Sequence, residues 1–120
     1  MLLPDERDAA YLWEMRNSLR TIGGYMEGRT EEAFRCETML QDAVLRQLTV
    51  LGEAAGRVSA ETRQLHPQIP WRSIVGLRNV VVHRYDKVQL GEVWLVATER
   101  APLLLRQIEG IVPPAPEDEA

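Results

Sequence analysis

The stretch Pro70-Trp71-Arg72-Ser73-Ile74-Val75-Gly76-Leu77-Arg78-Asn79-Val80-Val81-Val82-His83-Arg84-Tyr85 decides how this chain folds. Read locally, Val80-Val81-Val82 favours a strand, because β-branched side chains suit a pleated surface. Read over the whole segment, Ile74, Leu77 and Val81 recur at helical spacing and form one apolar stripe. A strand needs a partner, and nothing else in the sequence offers one. The segment therefore reads as a helix from Trp71 to about His83, with Pro70 at its first position, where the missing N–H would be unsatisfied anyway.

Working outward, the same spacing recurs. Leu12, Met15, Leu19, Ile22 and Met26 predict a first helix from about Asp5 to Met26, weakened at Gly23-Gly24 and stopped at Gly28. Thr30 offers an N-cap, with Glu31 and Glu32 at the positive end of a second, long helix reaching about Val58. Leu40, Val44, Leu48, Leu51, Ala55 and Val58 share one face of it. Gly52 and Gly56, one turn apart, either admit the close approach of another helix or merely lower helicity. Ser59–Ile69 reads as a connector with at most one short helical turn. A last helix is expected from about Leu90 to Val112, with Val93, Ala97, Leu104, Ile108 and Ile111 inward and Pro102 kinking or splitting it. The fold class is all-α: an up-and-down antiparallel helical bundle of four to five helices over residues 1–112. Residues 113–120, Pro-rich and acidic with almost nothing to bury, are expected to be a disordered tail.

Composition narrows the function classes without choosing among them. The 120 residues suit one domain, and 45% apolar content suffices for one ordinary core. A single cysteine, Cys36, excludes an internal disulfide or a thiolate metal cluster. No stretch has the roughly 20 apolar residues a bilayer requires, and MLLPDERD turns acidic too early for a secretory signal, so a cytoplasmic location without a membrane is expected. The formal net charge of −4 argues against a nucleic-acid partner, yet Glu117-Asp118-Glu119 supplies three of the negatives, leaving residues 1–116 near −1. Thirteen of the fourteen basic residues are arginine, Lys87 being the exception, which reflects either phosphate binding or a coding habit.

The opening stretch is also the one that concentrates chemistry. Asn79 and His83 are four apart, about 40° around a helix, and share a face; Arg78 and His83 are five apart, about 140° around the axis. One helix thus does not set Arg78 beside His83: either the long arginine wraps back or a second copy of the chain completes the site, which points to a homodimer. A histidine near neutral pKa moves protons at physiological pH, and an arginine holds a phosphate through two parallel hydrogen bonds. Together they suffice in principle to cleave RNA without a metal or cofactor, His83 assisting the 2′-hydroxyl and Arg78 supporting the phosphorane-like transition state. The competing reading of His83 is a structural histidine whose charge favours a helix C-terminus.

The wider segment resembles the HEPN superfamily, and specifically the HepT-like toxins, whose signature is Arg-x4-His-x-Tyr with a polar residue after the Arg. Arg78, Asn79, His83 and Tyr85 match it position for position. The surroundings are similar as well: Phe34 after Thr30-Glu31-Glu32, Leu51-Gly52-Glu53-Ala54-Ala55, Pro67-Gln68-Ile69-Pro70-Trp71, Val93-Trp94 and Pro102-Leu103, so that the likeness covers about residues 8–112. Asp86 stands where that family often carries a second aromatic, which affects the packing of that turn. The resemblance implies a metal-independent endoribonuclease toxin acting as a homodimer. Its partner would be a MntA-like minimal nucleotidyltransferase antitoxin that silences it by transferring AMP from ATP to Tyr85. Bulky, anionic AMP two residues past His83 would crowd the site and repel an RNA phosphate. The plain reading of Tyr85 is an aromatic closing the helix end. The rival function is a non-catalytic helical subunit that serves a nucleotidyltransferase as its substrate or substrate-binding partner.

The remaining candidates are weaker. Arg72 and Arg84 flank the motif and either extend an RNA-binding surface or are solvated. His66 lacks acidic or cysteine neighbours that would make a metal site, Cys36 has no evident redox task, and Trp71 and Trp94 suit the core better than base stacking.

Overall fold

The computed structural model describes the backbone of residues 6–83 and 89–115 and the side chains of residues 6–78 and 89–115. The described residues form seven α-helices, α1 (Glu6–Met26), α2 (Glu31–Cys36), α3 (Thr38–Arg57), α4 (Ala60–Leu65), α5 (Trp71–His83), α6 (Leu90–Leu95) and α7 (Ala101–Glu109), and a π-helical turn at Val96–Arg100 joins α6 to α7. No strand is found among the described residues, and Val80–Val82 continue α5 as helix. Four rods result: α1, α3, α5 and the α6–π–α7 run. Helix α3 packs on α1 and α5, and α1 also packs on α7. The bundle is thus packed in the order α5–α3–α1–α7, and α5 and α7 face each other across a groove instead of packing directly.

The predicted apolar stripes are the core. Leu12, Met15, Leu19 and Ile22 of α1 are inaccessible to solvent or nearly so, as are Val44, Leu48, Leu51 and Ala55 of α3, Ile74 of α5 and Ile108 of α7. Helix α1 stops where Gly28 takes a φ of +72°, a left-handed conformation that suits a residue without Cβ. Thr30 caps α2, its hydroxyl accepting from the Ala33 amide at 3.1 Å.

Three segments differ from the sequence expectation. The long second helix is broken at Glu37, whose φ and ψ are −112° and 94°. Phe34 lies six residues before Leu40, about 120° out of phase with the α3 stripe in a continuous helix. The break lets both be buried, Phe34 completely, with its ring 5.9 Å from that of Trp94. Gln41 covers the exposed end of α2 by donating to the Phe34 and Arg35 carbonyls, and Arg29 holds the Glu37 carboxylate at 2.8 Å. The connector carries more helix than expected, the six-residue α4, because Ser59 caps it through the Thr62 amide.

Pro102 splits the last helix, as expected; the third difference is the form of the split, a π-helical turn, and the earlier end of the run. The Pro102 ring removes an N–H and crowds the carbonyl four residues back, that of Thr98. The helix widens ahead of it, so that the Ala101 amide reaches the Val96 carbonyl five residues away. The run ends at Glu109 rather than Val112. Past that end, the Trp13 indole donates to the Pro113 carbonyl at 2.7 Å and Ala115 is fully buried; residues 116–120 lie outside the described residues.

Candidate active site

Helices α3 and α5 cross at a glycine. A Cβ on Gly52 would lie 3.1 Å from the Ile74 carbonyl oxygen, 3.2 Å from the Arg78 amide nitrogen and 3.3 Å from the Arg78 Cβ. That crowding settles what Gly52 does: it brings the two backbones into contact at the position where Arg78 leaves α5. Gly56, one turn on, is under less pressure, since its Cβ would make ordinary contact with Val75 at 3.9 Å.

Arg78 is exposed and projects beside a cleft of about 320 Å³ lined by Glu53, Gly56, Arg57, Arg63, Val75 and Arg78 itself. Arg63 is committed to the end of α3. Its guanidinium donates to the carbonyls of Ala55, Gly56 and Val58 at 2.8 to 3.0 Å, satisfying groups that a helix C-terminus leaves open. The α4 end that carries Arg63 is anchored in turn by Asp8 of α1, which accepts from the Ser59 amide, the Ser59 hydroxyl and the Thr62 hydroxyl. Burial pushes the Asp8 carboxyl up. The hydrogen bonds from Ser59 and Thr62, with the charge of Arg63, outweigh it and hold the group below its ordinary value.

Of the motif residues, Arg78 is the one whose side chain is described. Positions 79 and 83 belong to α5, so the 140° offset between positions 78 and 83 expected for a regular helix holds along this backbone. The side chains of Asn79 and His83, and all of Arg84 and Tyr85, lie outside the described residues. Arg72 is exposed in the first turn of α5, near the opposite end of the helix from His83. His66 serves through its backbone, its carbonyl accepting from the Trp71 indole at 3.0 Å. Trp71 is buried and Trp94 packs on the core, so neither presents a free stacking face. Among the described residues no three His, Cys, Asp or Glu side chains gather as metal ligands, and no helix is long and apolar enough to cross a membrane.

The sequence reading missed Glu53, Arg57 and Arg63 as neighbours of Arg78. A signal existed for two of them: Glu53 and Arg57 each follow a seam glycine and are themselves one turn apart, which sets them at the rim of the α3–α5 contact. On its other side, α5 faces an apolar groove of about 600 Å³, lined by Pro70, Ile74 and Leu77 and by Val96, Leu103 and Leu104 of the opposite rod.

Comparison with known proteins gives a consistent result. Residues 15–111 match the family model described as ribonuclease HepT-like. A probable ribonuclease HepT from Thermococcus cleftensis is 30% identical over 82% of this chain and 90% of its own length. A Methanocaldococcus jannaschii protein named provisionally as an RNase is 27% identical over 83% of this chain and 92% of its own. A second protein from that organism, named as a gamma-glutamylcyclotransferase and provisionally as an RNase, is 33% identical over 82% of this chain, which spans 44% of that longer relative. No solved structure gives a significant match.

Proposed function

The chain belongs to the ribonuclease HepT-like family, and on that premise we propose that it is an endoribonuclease toxin that cuts RNA through Arg78, Asn79 and His83 without a metal ion. The observation that carries this reading is the placement of Arg78. Its backbone is pinned by the Gly52 crossing while its side chain stays exposed beside an arginine-rich cleft. A fixed backbone attachment with an uncommitted guanidinium supports this role, because the donor is available to the charge that develops on a phosphate bound beside it.

In the proposed reaction, His83 removes the proton of a 2′-hydroxyl as that oxygen bonds to the adjacent phosphorus. The bond to the 5′-oxygen breaks and that oxygen takes a proton from solvent water, giving a 2′,3′-cyclic phosphate and a 5′-hydroxyl end, while the protonated His83 returns its proton to solvent. Arg78 holds the non-bridging oxygens, and Asn79 orients the same phosphate. The angular offset of positions 78 and 83 supports a homodimer in which two copies of the motif meet. Regulation follows from Tyr85, which we assign as the acceptor of AMP from a MntA-like nucleotidyltransferase antitoxin.

The test is cleavage of a single-stranded RNA by the purified protein in the presence of a chelator. Arg78→Ala is expected to lower the rate at least about a hundredfold while leaving the melting temperature near that of the wild type. Activity that vanishes in chelator and returns with a divalent ion overturns the metal-free mechanism. Protein that cuts nothing yet is modified at Tyr85 by the nucleotidyltransferase supports the non-catalytic subunit instead.

A further inference from the structure

We propose that the cleft formed by Glu53, Arg57, Arg63 and Arg78 is a second phosphate subsite, in which Arg57 binds a backbone phosphate of the RNA next to the scissile one. The inference rests on the ribonuclease reading and extends it to a residue outside the motif.

The case is one of how this protein distributes its charges. Arg20, Arg29 and Arg35 each hold a carboxylate, those of Glu109, Glu37 and Glu31, within 3.0 Å. Arg57 and Arg78 form no such pair among the described residues, nor do Arg7, Arg46, Arg72, Arg100 and Arg106; what sets the first two apart is that they line one cleft, with Glu53 beside them. Two unneutralised guanidiniums therefore face one small concavity in a chain whose net charge is −4. The concavity lies at the C-terminal end of α3, where the helix dipole alone would repel an anion. Arg63 cancels that effect by bonding three of the terminal carbonyls. What remains is a local surplus of positive charge, since Arg57 and Arg78 face one glutamate, and a concave wall focuses such a field.

The shape of the cleft argues for a strand of nucleic acid over a lone small anion. Gly56 forms part of the wall and leaves it without a side chain, and the cleft is open, exposing both Arg57 and Arg78. A polymer that presents phosphates in series can engage both guanidiniums at once, each through a fork of parallel N–H donors. The α3–α5 contact at Gly52 fixes the backbone positions from which the two side chains leave, so both guanidiniums stay within reach of the one cleft.

The experiment measures equilibrium binding of a 2′-O-methyl single-stranded RNA, which lacks the attacking hydroxyl and cannot be cut, over a range of salt concentrations. Arg57→Gln is compared with Arg46→Gln, which removes the same charge from an exposed position of α3 away from the cleft. Arg57→Gln is expected to weaken binding about tenfold and to reduce the slope of log affinity against log salt by roughly 0.7, the share of one single-strand phosphate contact. Arg46→Gln is expected to change binding less than about twofold, and Arg57→Lys to restore part of the affinity. In cleavage of unmodified RNA, Arg57→Gln is expected to raise KM more than it lowers kcat. Wild-type protein that cuts RNA while Arg57→Gln and Arg46→Gln bind alike overturns the subsite alone. Wild-type protein that neither cuts nor binds RNA overturns the nuclease reading and the subsite with it.

Discussion

Helix α5 has two unlike sides. Toward α3 it is in backbone contact, and a Cβ on Gly52 would press on Ile74 and Arg78 at 3.1 to 3.3 Å. Toward α7 it stands off, and the space between is an apolar groove of about 600 Å³, closed at one end where the Gln107 side chain donates to the Gln68 carbonyl. One helix thus combines a fixed edge with an open one. The fixed edge carries Arg78, whose chemistry depends on position. The other edge exposes Leu103 and leaves apolar surface uncovered.

The comparison is broken most directly at the seam. Gly52→Val adds branched carbons to a contact already tight for a Cβ, and overpacking of this kind costs about 3 kcal/mol. Urea unfolding is expected to show that loss, with cleavage falling further than the population of folded protein explains, because Arg78 is displaced. A variant with wild-type stability would mean that the helices slide apart freely and that the seam is no fixed edge.

A smaller effect is expected at Asp8, which anchors the α4 end of the cleft. Asp8→Asn removes a buried charge from three hydrogen bonds and is expected to lower stability at neutral pH by about 2 kcal/mol. The folded carboxyl lies below its unfolded value, so its contribution is complete above the unfolded pKa, near 4, and is lost as pH falls through the folded one. Wild-type protein is therefore expected to lose stability below about pH 4 more steeply than Asp8→Asn. Parallel acid limbs in the two melting profiles would remove Asp8 from the account.

The smallest effects sharpen the contrast. Gly56→Ala, one turn from Gly52, meets only an ordinary contact and is expected to stabilise the helix by up to about 1 kcal/mol. Leu103→Ser, at the groove, is expected to change folding stability by less than about 0.5 kcal/mol, since the side chain is 56% exposed. If Gly56→Ala destabilised as Gly52→Val does, both glycines would belong to one tight contact and the cleft wall would be part of the seam.

What the sequence by itself determined is what short-range rules govern. The buried stripes of α1, α3 and α5, the left-handed stop at Gly28, the Thr30 cap and the start of α5 all follow from periodicity and from bonds that span four residues or fewer. The motif around Arg78 was legible for the same reason, since it is contiguous. Tertiary structure alone decided the rest. The break at Glu37 arises because Phe34 and the α3 stripe must enter one core from positions out of phase on a single helix. The π-helical turn arises because the run must stay packed on α1 while Pro102 blocks the regular ladder. Asp8 finds Ser59 and Thr62 more than fifty residues away, and Arg57 comes to face Arg78 across the Gly52–Gly56 surface. These pairings depend on which helix lies beside which. That choice is made by the summed burial of whole faces, a quantity no local pattern contains.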